Sequence, residues 1–98
     1  MTGMAPVRKR RTVYVGDQRW KIQRNARLRD CDGKCDYKTR TIFLRAGLHG
    51  SDLLDTILHE LIHARWPDLS EDAVCEFSET VSALLDAEGF RQPDDHEE

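Results

Sequence analysis

The chain is short of the residues that build large cores and covalent scaffolds. Aromatic residues make up only 7% of its 98 positions, and its three cysteines, an odd number, cannot all pair. Few aromatics imply a modest core, and the cysteine count argues against a disulfide scaffold and for reduced thiols. No apolar run approaches the roughly 20 residues that span a bilayer. The segment from Met1 to Arg11 also lacks the apolar centre of a secretory signal. A cytoplasmic protein with no membrane partner is the expectation.

What is present suits a single small core: 39% of the residues are hydrophobic and 34% charged. The net charge of −3 hides an asymmetry, with Arg8-Lys9-Arg10-Arg11 near one end and Asp94-Asp95-His96-Glu97-Glu98 at the other. The basic run has no interleaved aromatics and sits in an acidic chain. It reads as a solvated tail, which argues against a nucleic-acid partner. The organisation expected is a basic disordered tail over 1–11, one domain over 12–90 and an acidic tail over 91–98.

Alternation and turn chemistry place the strands first. Thr12 to Val15 and Arg19 to Gln23 flank Gly16-Asp17 as a hairpin, and Asn25 to Arg29 is ambiguous. Lys34 to Asp36 and Thr39 to Leu44 pair across Tyr37-Lys38, with Thr41-Ile42-Phe43-Leu44 the most strand-like stretch. A helix follows, capped by Ser51, and Pro67 ends it near Arg65. Leu54, Ile57, Leu58 and Leu61 form its apolar face. A second helix starts after Ser70 or Asp68 as cap, with Glu71 and Asp72 at its positive end, and stops at Gly89. Its apolar stripe is Val74, Phe77, Val81, Leu84 and Leu85. This is an α+β class: a small twisted antiparallel or mixed sheet against two helices.

The first helix contains His59-Glu60-Leu61-Ile62-His63, a His-Glu-x-x-His pattern. Residues four apart lie one turn above each other, so both imidazoles can reach one metal ion with Glu60 about a third of a turn away. That is the arrangement a zinc peptidase needs. The histidines fall opposite the apolar stripe, toward a cleft or solvent. Two surface histidines without a ligand are the plain alternative.

A catalytic zinc takes three protein ligands and leaves one position open. The second helix offers Glu71, Asp72, Glu76 and Glu79. Glu76 shares a side with Ala73, Thr80, Ala83 and Ala87, small residues that would let a neighbouring helix come close, so Glu76 is the expected third ligand. Glu79, beside Asp72 and Asp86, is the alternative. Cys31 and Cys35 have no second pair of ligands to make a separate zinc site, and Cys75 reads as an inert small residue.

Thr56 to Ala64 resembles the active-site helix shared by SprT-like and ImmA/IrrE-type metallopeptidases, which are zincins. The stretch from Glu76 to Leu85 resembles the second helix of the ImmA/IrrE type. The order of Trp strand, Gly-x-Cys-Asp hairpin (Gly33 to Asp36), Ile-rich strand and helix is similar to small phage and bacterial metallopeptidases. The third histidine of SprT-like proteins has no counterpart, and Ser78 and Thr80 stand where ImmA/IrrE-type chains commonly carry Asn and Phe. The resemblance implies a small sheet on the active-site helix with the second helix behind.

The resulting expectation is a zinc-dependent peptidase acting on a protein or peptide. His59, His63 and Glu76 hold Zn²⁺, and Glu60 takes the proton of the attacking water. Thr41 to Leu44 is expected at the cleft edge, where it pairs with an extended substrate. Tyr14, Tyr37, His49 and Arg65 are candidate donors to the oxyanion. A non-catalytic, zinc-stabilised interaction module is the alternative.

Overall fold

A computed structural model describes residues 9–93. Arg8, His96 and most of the acidic tail lie outside the described residues. Four strands and two helices follow in the order β1 (Arg10–Val15), β2 (Gln18–Ala26), β3 (Gly33–Asp36), β4 (Thr41–Arg45), α1 (Gly50–Arg65) and α2 (Glu71–Ala87). The α+β class is as the pattern indicates.

The strands form one mixed sheet in the order β1-β2-β4-β3. β1 and β2 make the expected hairpin, Val15 opposite Gln18, around Gly16 at φ 64°. β2 runs on into the ambiguous basic stretch as far as Ala26, with a register shift between Gln23 and Ala26 where Asn25 takes φ 61°. β4 then lies parallel to β2 and antiparallel to β3. The β3–β4 turn is closed by Asp36, whose Oδ1 accepts from the amides of Lys38 and Thr39.

Position in the sheet corrects one expectation. β4 is bonded to a neighbour on each side. Its backbone donors and acceptors are used, so it cannot add an extended chain. The strand with a free edge beside α1 is β3.

One face of the sheet meets α1 around Trp20, Ile42, Leu44, Leu48, Leu53 and Ala64. Burying each large apolar side chain contributes about 1.5–3 kcal/mol. Trp20 packs edge-on to Tyr37, with ring centroids 6.0 Å apart. Its indole Nε1 has no partner among the described residues. The side of α1 turned inward carries Leu53, Thr56, Glu60 and Ala64, all buried, while Leu54, Ile57, Leu58 and Leu61 are half-buried. α2 packs against α1 and makes no comparable contact with the sheet. The layers are therefore sheet, α1, α2.

α1 begins two residues earlier than its cap pattern suggests. His49 is the N-cap and makes no side-chain capping bond, while Ser51 lies inside the helix. Gln92 caps it from a distance, its Oε1 accepting from the Gly50 amide at 2.7 Å. Pro67 ends α1 as expected. α2 starts from Ser70, whose hydroxyl accepts from the Ala73 amide. It ends in a Schellman arrangement: Gly89 at φ 93°, with Phe90 donating to the Leu85 carbonyl and Gly89 to that of Asp86.

Candidate metal centre

The Trp66–Ser70 turn folds α2 back so that its first residue lands beside the histidines of α1. His59 and His63 are largely sheltered, with side chains 16% and 17% exposed, and their ring centroids lie 4.8 Å apart. Glu71 reaches both: its Oε2 is 3.1 Å from His59 Nε2 and its Oε1 is 2.8 Å from His63 Nε2. Glu71 is also in the first turn of α2, where the helix dipole favours a negative charge.

Partial desolvation pushes the Glu71 carboxyl up. The hydrogen bond from His63, the charge of His59 and the Cys75 thiol outweigh it, and the net shift is downward. A carboxylate between two imidazole nitrogens is a donor set of the kind that can hold a metal ion. Donors held about 2.0–2.2 Å from a tetrahedral zinc are about 3.4 Å apart. The two separations from Glu71 to the imidazoles, 3.1 and 2.8 Å, are close to that span.

The carboxylate that meets the histidines is thus Glu71, and the structure does not bring Glu76 to them. Glu76 is exposed and absent from the cleft, and its backbone carbonyl accepts from the Thr80 hydroxyl. Glu79 is exposed too. The reason is the rotation of α2. It buries Val74, Ser78 and Ser82 against α1 and turns Phe77 and Leu84 outward. Glu71, Cys75, Ser78 and Ser82 recur at i, i+4, i+7 and i+11, one helical face of small or polar residues. That stripe is the signal by which the sequence could have revealed the carboxylate.

Cys75 stands one turn after Glu71. Its Sγ is 3.9 Å from His59 Nδ1 and 3.6 Å from Glu71 Oε2. His59, Glu71 and Cys75 offer ligand atoms all within 4.8 Å of one another, so they too could hold a metal ion. Desolvation, the hydrogen bond to Glu71 and nearby carboxylates push the thiol up. Without a metal it is a neutral S–H.

Glu60 is buried at the base of the same cleft, 7% exposed. Burial raises its pKa, and the charges of His59 and His63 oppose the rise. It sits there because Gly33 leaves room: a Cβ at Gly33 would come within 2.7 Å of Thr56 Cγ2 and 2.9 Å of Glu60 Cγ. The missing side chain of Gly33 lets β3 approach α1.

The cleft encloses about 470 Å³. One wall is α1 and Glu71, the other is Cys31 to Gly33, Cys35 and Tyr37. Of the four candidate oxyanion donors, Tyr37 alone lines it. Tyr14 is exposed on β1, Arg65 lies over the Trp66 ring at 4.9 Å, and His49 caps α1. The Tyr37 hydroxyl donates to the His63 carbonyl at 3.1 Å. Desolvation and the neighbouring Cys35 push it up to about 12, so it stays a proton donor at neutral pH. Desolvation likewise raises Cys35 to about 11.

No helix among the described residues is long and apolar enough to cross a membrane. No curated protein and no solved structure matches the chain. The sequence pattern of the SprT-like family does, over residues 7–71, from before β1 through the His-Glu-x-x-His motif to Glu71. Of the two resemblances in the first helix, the match supports the SprT-like one. With two thirds of its length covered, including both histidines and the carboxylate between them, the chain belongs to the SprT-like family.

Proposed function

We propose that the chain is a zinc-dependent peptidase that holds its metal through His59, His63 and Glu71 and uses Glu60 as general base. The observation that carries this is the placement of one Glu71 carboxylate within hydrogen-bond distance of both Nε2 atoms. Two imidazoles and a carboxylate suit zinc and leave a fourth position for chemistry. When bound, the ion supplies a Lewis acid that acidifies water and polarises a carbonyl.

The remaining steps belong to the chain's own residues. Glu60 is held in the cleft with a raised pKa, which brings a carboxylate closer to the useful range for proton transfer at neutral pH. It takes the proton of the attacking water and passes it to the leaving amine. Tyr37 donates toward the oxygen of the scissile carbonyl once its hydroxyl turns from His63.

β3 orients the substrate. The Asp32 carbonyl accepts from the Arg45 amide, so alternation in an antiparallel pair directs the backbone groups of Gly33 and Cys35 away from β4. An extended peptide can pair with that free edge and lie across the histidines. The test is hydrolysis of an unfolded protein substrate by zinc-loaded protein, with Glu60→Gln as control. Loss of cleavage with metal retained is expected, and undiminished cleavage would overturn the assignment of Glu60.

A second reading rests on Cys75. If the thiol joined His59, Glu71 and His63 on the metal, four protein ligands would close the site and leave a zinc-stabilised binding module. Cobalt substitution separates the two, because thiolate ligation gives an intense charge-transfer band that Cys75→Ser would abolish.

A further inference from the structure

α2 is covered on one side only. Its outer side presents Phe77 and Leu84, each 58% exposed and two turns apart on one line of the helix. Val81 lies half-buried beside them. Next to it, Leu85, Phe90 and, from α1, Leu53, Leu54 and Ile57 line an apolar groove of about 580 Å³. Large apolar residues at i, i+4, i+7 and i+8 on an accessible face, continuous with a groove, are the form taken by sites that accept an amphipathic helix.

Charge selects the occupant. From Glu71 to Ala87 the helix carries Glu71, Asp72, Glu76, Glu79 and Asp86 and no Lys or Arg, and Glu88 follows. Around the helix, Phe77 and Leu84 give way on one flank to Ala73 and Thr80 and then to Glu76, and Glu88 continues their line one turn after Leu84. The nearby Arg91 is engaged with Asp86, Nε to Oδ1 3.2 Å. A second copy pairing α2 with α2 would set these carboxylates against their equivalents, and like-charge contact of that kind opposes association. A cationic helix meets no such penalty.

We propose that the outer face of α2 docks a cationic amphipathic helix of a partner protein. Its apolar side lies along Phe77, Val81 and Leu84 and enters the groove at Leu85 and Phe90. Its Lys or Arg side chains face Glu76 and Glu88, the latter one turn beyond Leu84. The surface lies on the side of α2 away from the histidines, so the proposal stands independently of the metal chemistry.

Fluorescence anisotropy with two labelled helical peptides of about 18 residues, one Leu/Lys and one Leu/Glu of matched apolar pattern, provides the test. The Leu/Lys peptide is expected to bind saturably and to weaken with added salt, while the Leu/Glu peptide does not bind. Phe77→Ser with Leu84→Ser should weaken binding about tenfold or more, as should Glu76→Lys with Glu88→Lys. All four positions are exposed, and unchanged circular dichroism confirms that each variant folds. Equal binding of both peptides, or full binding by the Phe77/Leu84 variant, would overturn the proposal. So would sedimentation showing a dimer that the Phe77/Leu84 variant abolishes, because the occupant would then be a second copy.

Discussion

α1 and α2 are nearly the same length, 16 and 17 residues, and are used very differently. α1 is sandwiched: the sheet covers one side, α2 another, and the histidines line the cleft between. α2 is a flank, burying a narrow stripe of Val74, Ser78 and Ser82 and leaving its two largest apolar side chains in solvent. The difference shows how far an apolar stripe can be trusted. Where a helix has neighbours on two sides, burial is set by which neighbour comes closest. Where it has one, small residues can win the contact and displace the large ones, because they let two helix backbones approach.

The contrast can be broken or sharpened in order of expected effect. Largest is Glu60→Gln on α1, expected to lower hydrolysis by about 10²–10⁴-fold while metal content holds. Steady-state kinetics beside metal analysis check it. Next is the sheet under α1. Leu44 is 1% exposed, and Leu44→Ala should cost about 2–5 kcal/mol in a urea melt.

Gly33→Ala should cost about 1–3 kcal/mol by overpacking, since the added methyl meets Thr56 and Glu60. It should also lower kcat more than its stability loss explains, because Glu60 must shift. On α2 the pair Val74→Ala and Leu84→Ala isolates the comparison itself. Val74 is fully buried, and losing its methyl groups should cost about 1.5 kcal/mol or more. The exposed Leu84 should stay within about 0.5 kcal/mol. Equal costs in denaturant melts would mean that α2 is packed in another orientation.

Much of this was legible before the structure. The β1–β2 hairpin follows from Gly16-Asp17 between alternating residues, and both helix ends near the turn follow from Pro67 and Ser70. His59, Glu60 and His63 come together because their spacing is a property of one helix. Glu71 was a different matter, because its place depends on how α2 is rotated about its own axis. Local pattern offered the large apolar Val74–Phe77–Val81–Leu84–Leu85 stripe and the small-residue side of Ala73, Glu76, Thr80, Ala83 and Ala87, whereas tertiary contact with α1 buries Val74, Ser78 and Ser82. β4 was misplaced at the cleft edge for a related reason. Its strong β character marks it as a strand, but strand order depends on the crossover from β2 through the β3 hairpin, which no local propensity encodes. The closeness of Gly33 to Glu60 is likewise a tertiary fact.

The central claim is that the α2 carboxylate at the metal is Glu71. Zinc content of purified protein, measured side by side for the parent chain, Glu71→Gln and Glu76→Gln after dialysis against a weak chelator, tests it most directly. About one zinc per chain in the parent and in Glu76→Gln, with most of it lost from Glu71→Gln, is the expected result. Full zinc in Glu71→Gln together with loss from Glu76→Gln would contradict the account.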